Sequence, residues 1–396
     1  MNTKLLNIGL FGFGTVGEGL YRLLERVHSP NVNIARICIR DINKPRSVKA
    51  NFTDNADDIF NDENINFVVE LIDDAEASFE IVKRALKSGR PVVSGNCKML
   101  AQHIEELIEL QRETGTALLY DASACGSIPV IRNLEEYYDN DLLISVKGIL
   151  NGASNYVLSK IFNEDMKYAD ALKLATDLGF LGKDASVDLD GIDSLYKLIL
   201  VTIHAFGTYV APDDVFCYGI SSMNEYDIRF AKEKDRRVKL LGHVEKIEGN
   251  RLVMSVIPQL LSRNKYISGV EDEFNGVVIK GLFYDKQFMV GRGAGGNPTG
   301  SSVLSDITAC LYNYKYEYKK RNDSEVPQFT NDTTFRIYYR YSTPEDRALV
   351  HFEEVFESYT SAEYNYVVGN VSMRNLMKVR TQLKSRRVFL AAYPRD

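Results

Sequence analysis

A glycine-rich loop near the start of the chain constrains the fold more than any other feature of the sequence. Residues 5–10 are almost all apolar, which is typical of a strand buried on both faces of a parallel sheet. The loop follows at once with Gly12, Gly14 and Gly17, and residues 16–27 place apolar side chains at helical spacing. In such a unit the first glycine makes the tight turn, the second lets the backbone approach a pyrophosphate, and the third packs the helix on the strand. We therefore predict a phosphate-binding loop that opens a helix.

The segments after the loop continue the alternation of strands and helices. Apolar runs predict strands at 33–39, 67–71, 91–94 and 117–120, and helical spacing predicts helices at 75–88 and 103–114. Glycine spacing alone is a weak signal, because a glycine turn in an unrelated α/β sheet can share it. Here it opens a series that indicates a parallel, doubly wound sheet. The predicted fold class is α/β, with a Rossmann-type NAD(P)-binding domain over residues 1–131.

The pattern changes after residue 131. Predicted strands at 145–150 and 251–257 and predicted helices at 155–162, 168–178 and 191–206 favour an α+β domain over residues 132–302. The glycine-rich stretch 291–300 precedes an apolar helix, and we expect the chain to return to the first domain at 303–316. Residues 317–396 are predicted to form a charged linker and a small C-terminal unit. A regulatory role for this C-terminal unit is a hypothesis.

Composition excludes several classes of function. A net charge of -6 without a basic run argues against nucleic acid as the partner, because binding phosphates requires a basic face. No stretch approaches the run of about 20 apolar residues that a membrane helix needs. The five cysteines are scattered and form no CxxC pair, so we expect reduced thiols in a cytoplasmic protein and no structural metal.

The end of the second predicted strand bears on the choice of coenzyme. An acidic residue there would bind the ribose hydroxyls of NAD, whereas an arginine would pair with the 2′-phosphate of NADP. The chain offers both, as Arg40 and Asp41, with Lys44 and Arg46 close behind. These basic residues favour NADP over NAD, although a basic run after a strand is often only a solvated turn.

Four further segments carry a family resemblance. They are YDASACGSIPVI at 120–131, GILNGASNYVLSKI at 148–161, LGFLGKDASVDLDGIDSLYKL at 178–198 and GRGAGGNPTGSSVLSDI at 291–307. Together with the glycine loop, and in this order, they resemble the homoserine dehydrogenase family. The resemblance implies NAD(P)-dependent interconversion of L-homoserine and L-aspartate 4-semialdehyde in threonine and methionine biosynthesis. It also implies a homodimer or higher homo-oligomer built through the second domain.

The resemblance also assigns roles to particular residues. It makes Lys197 the main acid-base group and Asp193 its partner. It gives substrate binding to Gly152, Ala153, Phe180 and Asp188. It assigns cofactor binding to Gly12, Phe13, Gly14, Thr15, Val16, Gly17, Arg40 and Asn96. A monovalent cation such as Na⁺ would be held, mostly by backbone carbonyls, at Asp121, Ala124, Gly126 and Ile128.

The chemistry of hydride transfer explains the choice of a lysine. The hydroxyl proton must move as the hydride leaves, and a lysine can accept it once its surroundings lower the ordinary pKa of about 10.4. Asp193 and Lys197 are four residues apart, so on a helix they share one face. The alternative is an exposed helix salt bridge, worth only a few tenths of a kcal/mol.

The Asn-Lys pair that relatives carry after the fourth strand is altered here. The chain has Asn96-Cys97, with Lys98 one residue later. A thiol cannot replace an ammonium as a donor of similar reach. Lys98 is a doubtful substitute, because neighbouring side chains of an extended backbone point to opposite sides. A nucleophilic role for Cys97 is disfavoured, since no histidine lies in a recognisable partner motif.

Two other departures bear on activity. Relatives usually have a glutamate at Gly182 that helps to hold the substrate ammonium, and many have two glycines where this chain has Asp73-Asp74. These changes leave two further hypotheses open: a catalytically impaired homologue that binds nucleotide or amino acid as a sensor or assembly partner, and a dehydrogenase for another substrate.

Overall fold

The chain forms two β-sheets. The computed structural model describes residues 5–27, 29–140, 142–182, 184–322 and 325–395. Its contacts divide the chain into a first unit, Met1–Asp139 with Arg292–Lys319, and a second unit, Asn140–Gly291 with Lys320–Asp396. In the described part of the chain no helix is both long and apolar enough to span a bilayer.

The first unit is a parallel α/β sheet. Its elements are β1 (Leu6–Phe11), α1 (Thr15–Val27), β2 (Val32–Cys38), β3 (Phe52–Thr53), α2 (Asp57–Phe60), β4 (Phe67–Glu70), α3 (Ala75–Lys87), β5 (Val92–Ser94), α4 (Cys97–Thr114), β6 (Leu118–Leu119), α5 (Ala122–Cys125) and α6 (Val130–Glu136). The strand order is β3-β2-β1-β4-β5-β6, and every pair is parallel. This arrangement confirms the predicted α/β, doubly wound fold class, because the order reverses at β1 as in dinucleotide-binding sheets.

Helix α4 begins earlier than its apolar spacing indicates. The predicted helix spans 103–114, but the observed one begins at Cys97 and ends where Gly115 takes a φ of 67°. The Asn96 side chain accepts a hydrogen bond from the Met99 amide at 2.9 Å and so caps the helix. Cys97 and Lys98 are therefore the first two helical residues, about 100° apart around the axis, rather than neighbours in extended backbone.

The second unit is built on a larger mixed sheet. Its elements before the chain leaves it are β7 (Leu143–Ile149), α7 (Gly152–Asn163), α8 (Tyr168–Asp177), α9 (Ser186–Leu189), α10 (Ile192–Phe206), β8 (Phe216–Cys217), α11 (Glu225–Glu233), β9 (Arg236–Ile247), β10 (Arg251–Ser262), β11 (Phe274–Gly281) and β12 (Asp285–Arg292). Four of these strands, β8, β9, β11 and β12, were not predicted. β9 pairs with β10 over its whole length, and β7 lies between β9 and β11.

The chain then returns to the first unit as α12 (Gly296–Leu311), which packs on α1. Two glycines allow this contact. A Cβ on Gly19 would lie 2.2 Å from the Gly296 carbonyl oxygen, and a Cβ on Gly296 would lie 2.6 Å from the Thr15 oxygen. The late glycine-rich stretch therefore packs against the helix that follows the glycine loop.

The C-terminal segment extends the second sheet. Its elements are β13 (Gln328–Phe329), β14 (Thr334–Tyr341), α13 (Pro344–Leu349), β15 (Glu354–Thr360), β16 (Asn365–Ser372), α14 (Met373–Ser385) and β17 (Phe389–Ala392). From β14 onward the pattern is βαββαβ with the antiparallel order β17-β14-β16-β15. β17 pairs with β10, so the segment predicted as a small separate unit adds its strands to the second sheet.

A buried ion pair ties this segment to α11. The Arg340 guanidinium lies 2.8 Å from Asp227, and both side chains are almost completely buried. Asp227 also accepts hydrogen bonds from the Tyr338 hydroxyl and the Asn224 amide. Burial raises the pKa of Asp227, while Arg340 acts to lower it. The carboxylate therefore depends on its donors, as buried charges generally do.

Candidate active site

The second unit brings four predicted or adjacent polar residues into one hydrogen-bonded group. Lys197 Nζ lies 2.7 Å from Asp193 Oδ2 on α10, one helical turn apart. The Asn151 amide nitrogen donates to Asp193 Oδ2 at 2.8 Å and to Asp188 Oδ1 at 2.7 Å. We call this group, Asn151, Asp188, Asp193 and Lys197, the polar cluster.

The lysine of the polar cluster is not on an open helix surface. The side chains of Lys197 and Asp193 are only 14% and 17% exposed. Lys197 also donates to the Leu150 carbonyl at 3.1 Å, directly after β7. Asn275 donates to the same carbonyl from β11. The pair is therefore fixed from both α10 and the end of β7, which argues against the alternative of an exposed helix salt bridge.

Asn151 is the residue that the sequence analysis missed. It is the N-cap of α7, and its side-chain oxygen accepts from the Ser154 amide at 2.8 Å. That bond orients the amide so that its nitrogen points at the carboxylates of Asp188 and Asp193. An Asn immediately before a helix is a recognisable capping signal. The sequence could thus have placed the cap, but not the two carboxylates that meet it.

Asp188 is half-buried beside the second carboxylate of the polar cluster. Burial raises the pKa of Asp188, and the nearby Asp193 charge adds to that rise. The Asn151 amide, Lys197 and the Gly182 backbone N–H act in the opposite direction. Gly182, where relatives usually have a glutamate, therefore supplies a backbone donor to Asp188. A Cβ built on Gly182 would meet no atom within 4 Å, so this position has room for a side chain.

The other predicted substrate residues lie at the start of α7 or pack against it. Gly152 and Ala153 open α7, which is 12 residues long, directly after Asn151. A Cβ on Gly152 would lie 2.5 Å from the Glu273 carbonyl oxygen, so only glycine fits there. Phe180 packs on Tyr156 with ring centroids 4.7 Å apart. The N-terminus of α7 carries backbone donors and a partial positive charge, which suits a substrate carboxylate.

In the first unit the glycine loop has the geometry that its spacing predicts. Gly12 has a φ of 93°, and a Cβ there would lie 2.4 Å from the Leu71 carbonyl oxygen. A Cβ on Gly17 would lie 2.4 Å from the Gly12 oxygen, so the helix packs tightly on the turn. A Cβ on Gly14 would meet nothing within 4 Å. The second glycine therefore leaves open space at the start of α1, where a phosphate group fits.

The loop after β2 carries the predicted coenzyme-selective residues. Arg40 and Asp41 are both exposed. Asp41 accepts from the Asn43 amide at 2.9 Å, and Arg46 folds back onto the Asp41 and Lys44 carbonyls. Arg46 thus stabilises the loop, whereas Arg40 is an exposed cation two residues after the end of β2.

The ends of β4 and β5 are tied together by buried polar groups. Glu70 is fully buried and accepts from the Ser94 hydroxyl at 2.6 Å and from the Ile72 amide at 2.7 Å. Burial raises the pKa of Glu70. Asn96 donates to the Ile72 carbonyl at 3.0 Å while it caps α4. These bonds fix the two loops at the carboxyl edge of the sheet, where doubly wound folds bind their ligands.

The altered positions in this region have definite placements. Cys97 is half-buried at the first position of α4, and Lys98 is exposed at the second. Asp74 caps α3 by accepting from the Ala77 amide at 3.0 Å. Asp73 is exposed just before it. One of the two extra carboxylates therefore has a structural role, and the other adds negative charge to the loop after β4.

The predicted cation positions form a tight turn around α5. The carbonyls of Asp121, Gly126 and Ile128 accept from the Ala124 amide, the Ser302 hydroxyl and the Val130 amide, respectively. Asp306 accepts from the Asp121 amide through Oδ2, while its fully buried Oδ1 has no hydrogen-bond partner. Within the described ranges no group of three or more His, Cys, Asp or Glu side chains could hold a metal ion.

Comparison with known proteins places both units in one family. The model "Homoserine dehydrogenase" matches residues 129–308, and the model "Homoserine dehydrogenase, NAD binding domain" matches residues 12–121. The homoserine dehydrogenase of Bacillus subtilis (strain 168) is 33% identical over 323 residues, which cover 79% of this chain and 74% of that protein. That of Corynebacterium glutamicum is 34% identical over 322 residues, covering 78% and 72%.

Solved structures agree with the sequence relatives. A homoserine dehydrogenase from Thiobacillus denitrificans superimposes with a TM-score of 0.84 at 25% identity and covers 99% of this chain and 98% of its own. A hyperthermophilic archaeal homoserine dehydrogenase mutant in complex with NADPH gives a TM-score of 0.67 at 25% identity, covering 79% and 99%. The first comparison spans the C-terminal βαββαβ segment as well.

Proposed function

The chain belongs to the homoserine dehydrogenase family, an NAD(P)-dependent class of oxidoreductase, and we propose that Lys197 is the proton acceptor for the substrate hydroxyl. The reaction interconverts L-homoserine and L-aspartate 4-semialdehyde. The observation that carries the proposal is the polar cluster, in which Lys197 is largely buried and held by Asp193 and the Leu150 carbonyl. A base held by two acceptors keeps its nitrogen at a fixed place, which proton transfer requires.

The polar cluster also supplies groups for the two charged ends of the substrate. Asp188 is a carboxylate for the substrate ammonium, and the amides of Gly152 and Ala153 at the start of α7 are donors for its carboxylate. Asn151 positions both carboxylates of the cluster. Phe180 adds an apolar wall against Tyr156.

The first unit would hold the coenzyme. Gly12, Gly14 and Gly17 fit a pyrophosphate, because two of them close the turn and the middle one leaves open space. Phe13, Thr15 and Val16 complete the loop, and Asn96 lies at the end of β5. When bound, the nicotinamide supplies or accepts the hydride. Arg40 is the exposed cation for a 2′-phosphate, which supports a preference for NADP over NAD.

A monovalent cation fits the turn at Asp121, Ala124, Gly126 and Ile128. A carbonyl oxygen has two lone pairs. The carbonyls of Asp121, Gly126 and Ile128 each accept one hydrogen bond, so each keeps one lone pair for a cation. The unpartnered Oδ1 of Asp306 adds a buried carboxyl oxygen next to this turn. A cation here would stabilise the turn and takes no part in the chemistry.

We assign a homodimer to the protein because of the apolar edge of its second sheet. β12 is the edge strand, and Leu282, Phe283, Phe288 and Val290 on or before it are exposed. Tyr266 stacks on Phe288 at 6.0 Å and widens the patch. An exposed apolar edge strand is usually covered by another chain. The compartment that we propose is the cytoplasm, which suits five described cysteines that form no disulfide.

The test is oxidation of L-homoserine by the purified protein with NADP⁺ and with NAD⁺, compared with Lys197→Ala and Cys97→Lys. We expect turnover by the wild type and its loss in Lys197→Ala. Turnover that appears only in Cys97→Lys would identify an impaired homologue that binds nucleotide or amino acid. The half-buried thiol at the start of α4 and the missing carboxylate at Gly182 are the observations behind this second candidate.

A further inference from the structure

Residues 270–275, which we call the bracing segment, contact the backbone on both sides of Asn151. The segment leads into β11, which pairs antiparallel with β7 and so begins next to the end of that strand. The Asn275 side chain donates to the Leu150 carbonyl at 3.3 Å. Lys197 donates to the same carbonyl at 3.1 Å. The bracing segment is therefore bonded to the carbonyl that holds the proposed base.

The bracing segment also lies against the first residue of α7. A Cβ on Gly152 would lie 2.5 Å from the Glu273 carbonyl oxygen, so the two backbones are in direct contact. The amide of Gly152 is one of the donors that we propose for the substrate carboxylate. The same segment thus contacts the backbone that holds the base and the backbone that would bind the substrate.

Asn155, one turn after Asn151 on α7, holds the bracing segment in place. It is only 1% exposed. Its amide nitrogen lies 3.1, 3.0 and 3.0 Å from the carbonyl oxygens of Val270, Asp272 and Phe274, respectively. Asp272 has a φ of 51°, which is uncommon for a residue other than glycine. The segment therefore turns tightly around one buried amide group.

Lys239 of β9 orients that amide. The lysine is 2% exposed, and its ammonium donates to Asn155 Oδ1 at 2.9 Å. It also donates to the Val270 carbonyl at 2.6 Å and to Glu271 at 3.3 Å. An ammonium has donors and no acceptor, so only the side-chain oxygen of Asn155 can face it. The nitrogen of the same amide must then face the bracing segment.

We propose that Asn155 and Lys239 are positioning residues for the reaction, a role that rests on the proposed function of Lys197. They hold the bracing segment, and the segment holds the backbone of residues 150–152. They act through this backbone, because their hydrogen bonds go to each other and to the segment. Proton transfer needs a base at a fixed place, and a misplacement of about 1 Å can slow a reaction by about 100-fold.

The test is a stopped-flow measurement of the first turnover of L-homoserine with NADP⁺ by the full-length protein. Asn155→Ala and Lys239→Met should each lower the rate constant of hydride transfer by about tenfold or more and keep its amplitude, because the base is misplaced in every molecule. A variant that only unfolds in part loses amplitude and keeps the rate constant. L-homoserine deuterated at C4 identifies the step, since the isotope slows hydride transfer from that carbon.

Two further variants separate positioning from a general loss of stability. Asn224→Ala is the matched control, because Asn224 lies in the same unit and its side chain also bonds to backbone amides, at the start of α11. It should leave the rate constant within about twofold of the wild type. Ser159→Ala decides the question if Asn155→Ala does not fold. It removes the acceptor of the Asp272 amide, at 2.9 Å, and should lower the rate constant by about threefold.

Unchanged rate constants in Asn155→Ala, Lys239→Met and Ser159→Ala would overturn the proposal, as would an equal loss in Asn224→Ala. A wild type without any turnover would instead refute the proposed function. Amide hydrogen exchange of residues 150–156 then tests the bracing by itself. Faster exchange in Asn155→Ala than in Asn224→Ala would support it, and equal exchange in both would overturn it.

Discussion

Replacing Asn151 by Asp changes one atom and should nearly abolish activity. The new carboxylate can still accept from the Ser154 amide, so the cap of α7 is kept. It loses the two N–H bonds to Asp188 and Asp193, at 2.7 and 2.8 Å, and adds a third negative charge between them. Hydrogen bonds to charged groups contribute about 1.5–3 kcal/mol each, so the loss is at least about 3 kcal/mol.

That free energy corresponds to a fall of about 100-fold or more in kcat/KM for L-homoserine. The assay is initial-rate kinetics of coenzyme reduction, with thermal unfolding measured in parallel. The control is Asn55→Asp, the same change at an exposed position whose side chain also accepts from a backbone amide. The reasoning is refuted if Asn151→Asp keeps kcat/KM within about threefold of the wild type, or if Asn55→Asp loses as much.

Three other predictions concern affinity and stability. Gly182→Glu should lower KM for L-homoserine by about tenfold without lowering Tm, because the position is open; an unchanged KM would show that the carboxylate cannot reach the ammonium. Asp227→Ala should lower the free energy of unfolding by about 3–5 kcal/mol, and adding Arg340→Met should restore part of it, as chemical denaturation would show; additive losses would contradict the ion pair. Burial lowers the pKa of Lys239 to about 8 from 10.5, so the unfolded chain binds more protons between these values. Wild-type stability should therefore rise by about 3 kcal/mol relative to Lys239→Met from pH 8 to 10.5, and denaturation that shows a parallel pH dependence in both proteins would exclude this.

The first unit could be predicted closely because its signals are local. Apolar runs and helical spacing gave strands and helices whose ends differ by a residue or two from β1, α1, β2 and α3. The start of α4 was not predicted, because its first turn carries Cys97 and Lys98 and depends on a cap from Asn96. Capping is a single-residue signal that apolar periodicity does not detect.

The second unit was predicted less completely because its sheet depends on distant pairing. In β9 the polar residues Arg237, Lys239 and His243 stand at odd positions between apolar ones, so the strand carries a period-two alternation that only Leu241 interrupts. The partners that bury its charges, such as Glu271, are not visible in any local pattern. The C-terminal strands join the sheet through β17, a contact far away in sequence.

The polar cluster was predicted in part. Asp193 and Lys197 lie on one helix, and their spacing of four residues brings them together wherever that helix forms. Asn151 reaches them from α7, more than 40 positions away, and only the fold shows that its amide meets two carboxylates. Family resemblance supplied Asp188 but gave no reason for its place, which the backbone N–H of Gly182 now provides.

The central claim is that this chain transfers hydride from homoserine with Lys197 accepting the hydroxyl proton. The most direct measurement uses L-homoserine deuterated at C4 and NADP⁺, with mass spectrometry of the reduced coenzyme. The wild type should place deuterium on the nicotinamide, and Lys197→Met should slow that transfer by about 100-fold or more while the protein stays folded. Absence of deuterium in the coenzyme reduced by the wild type, or equal transfer by Lys197→Met, would contradict the account.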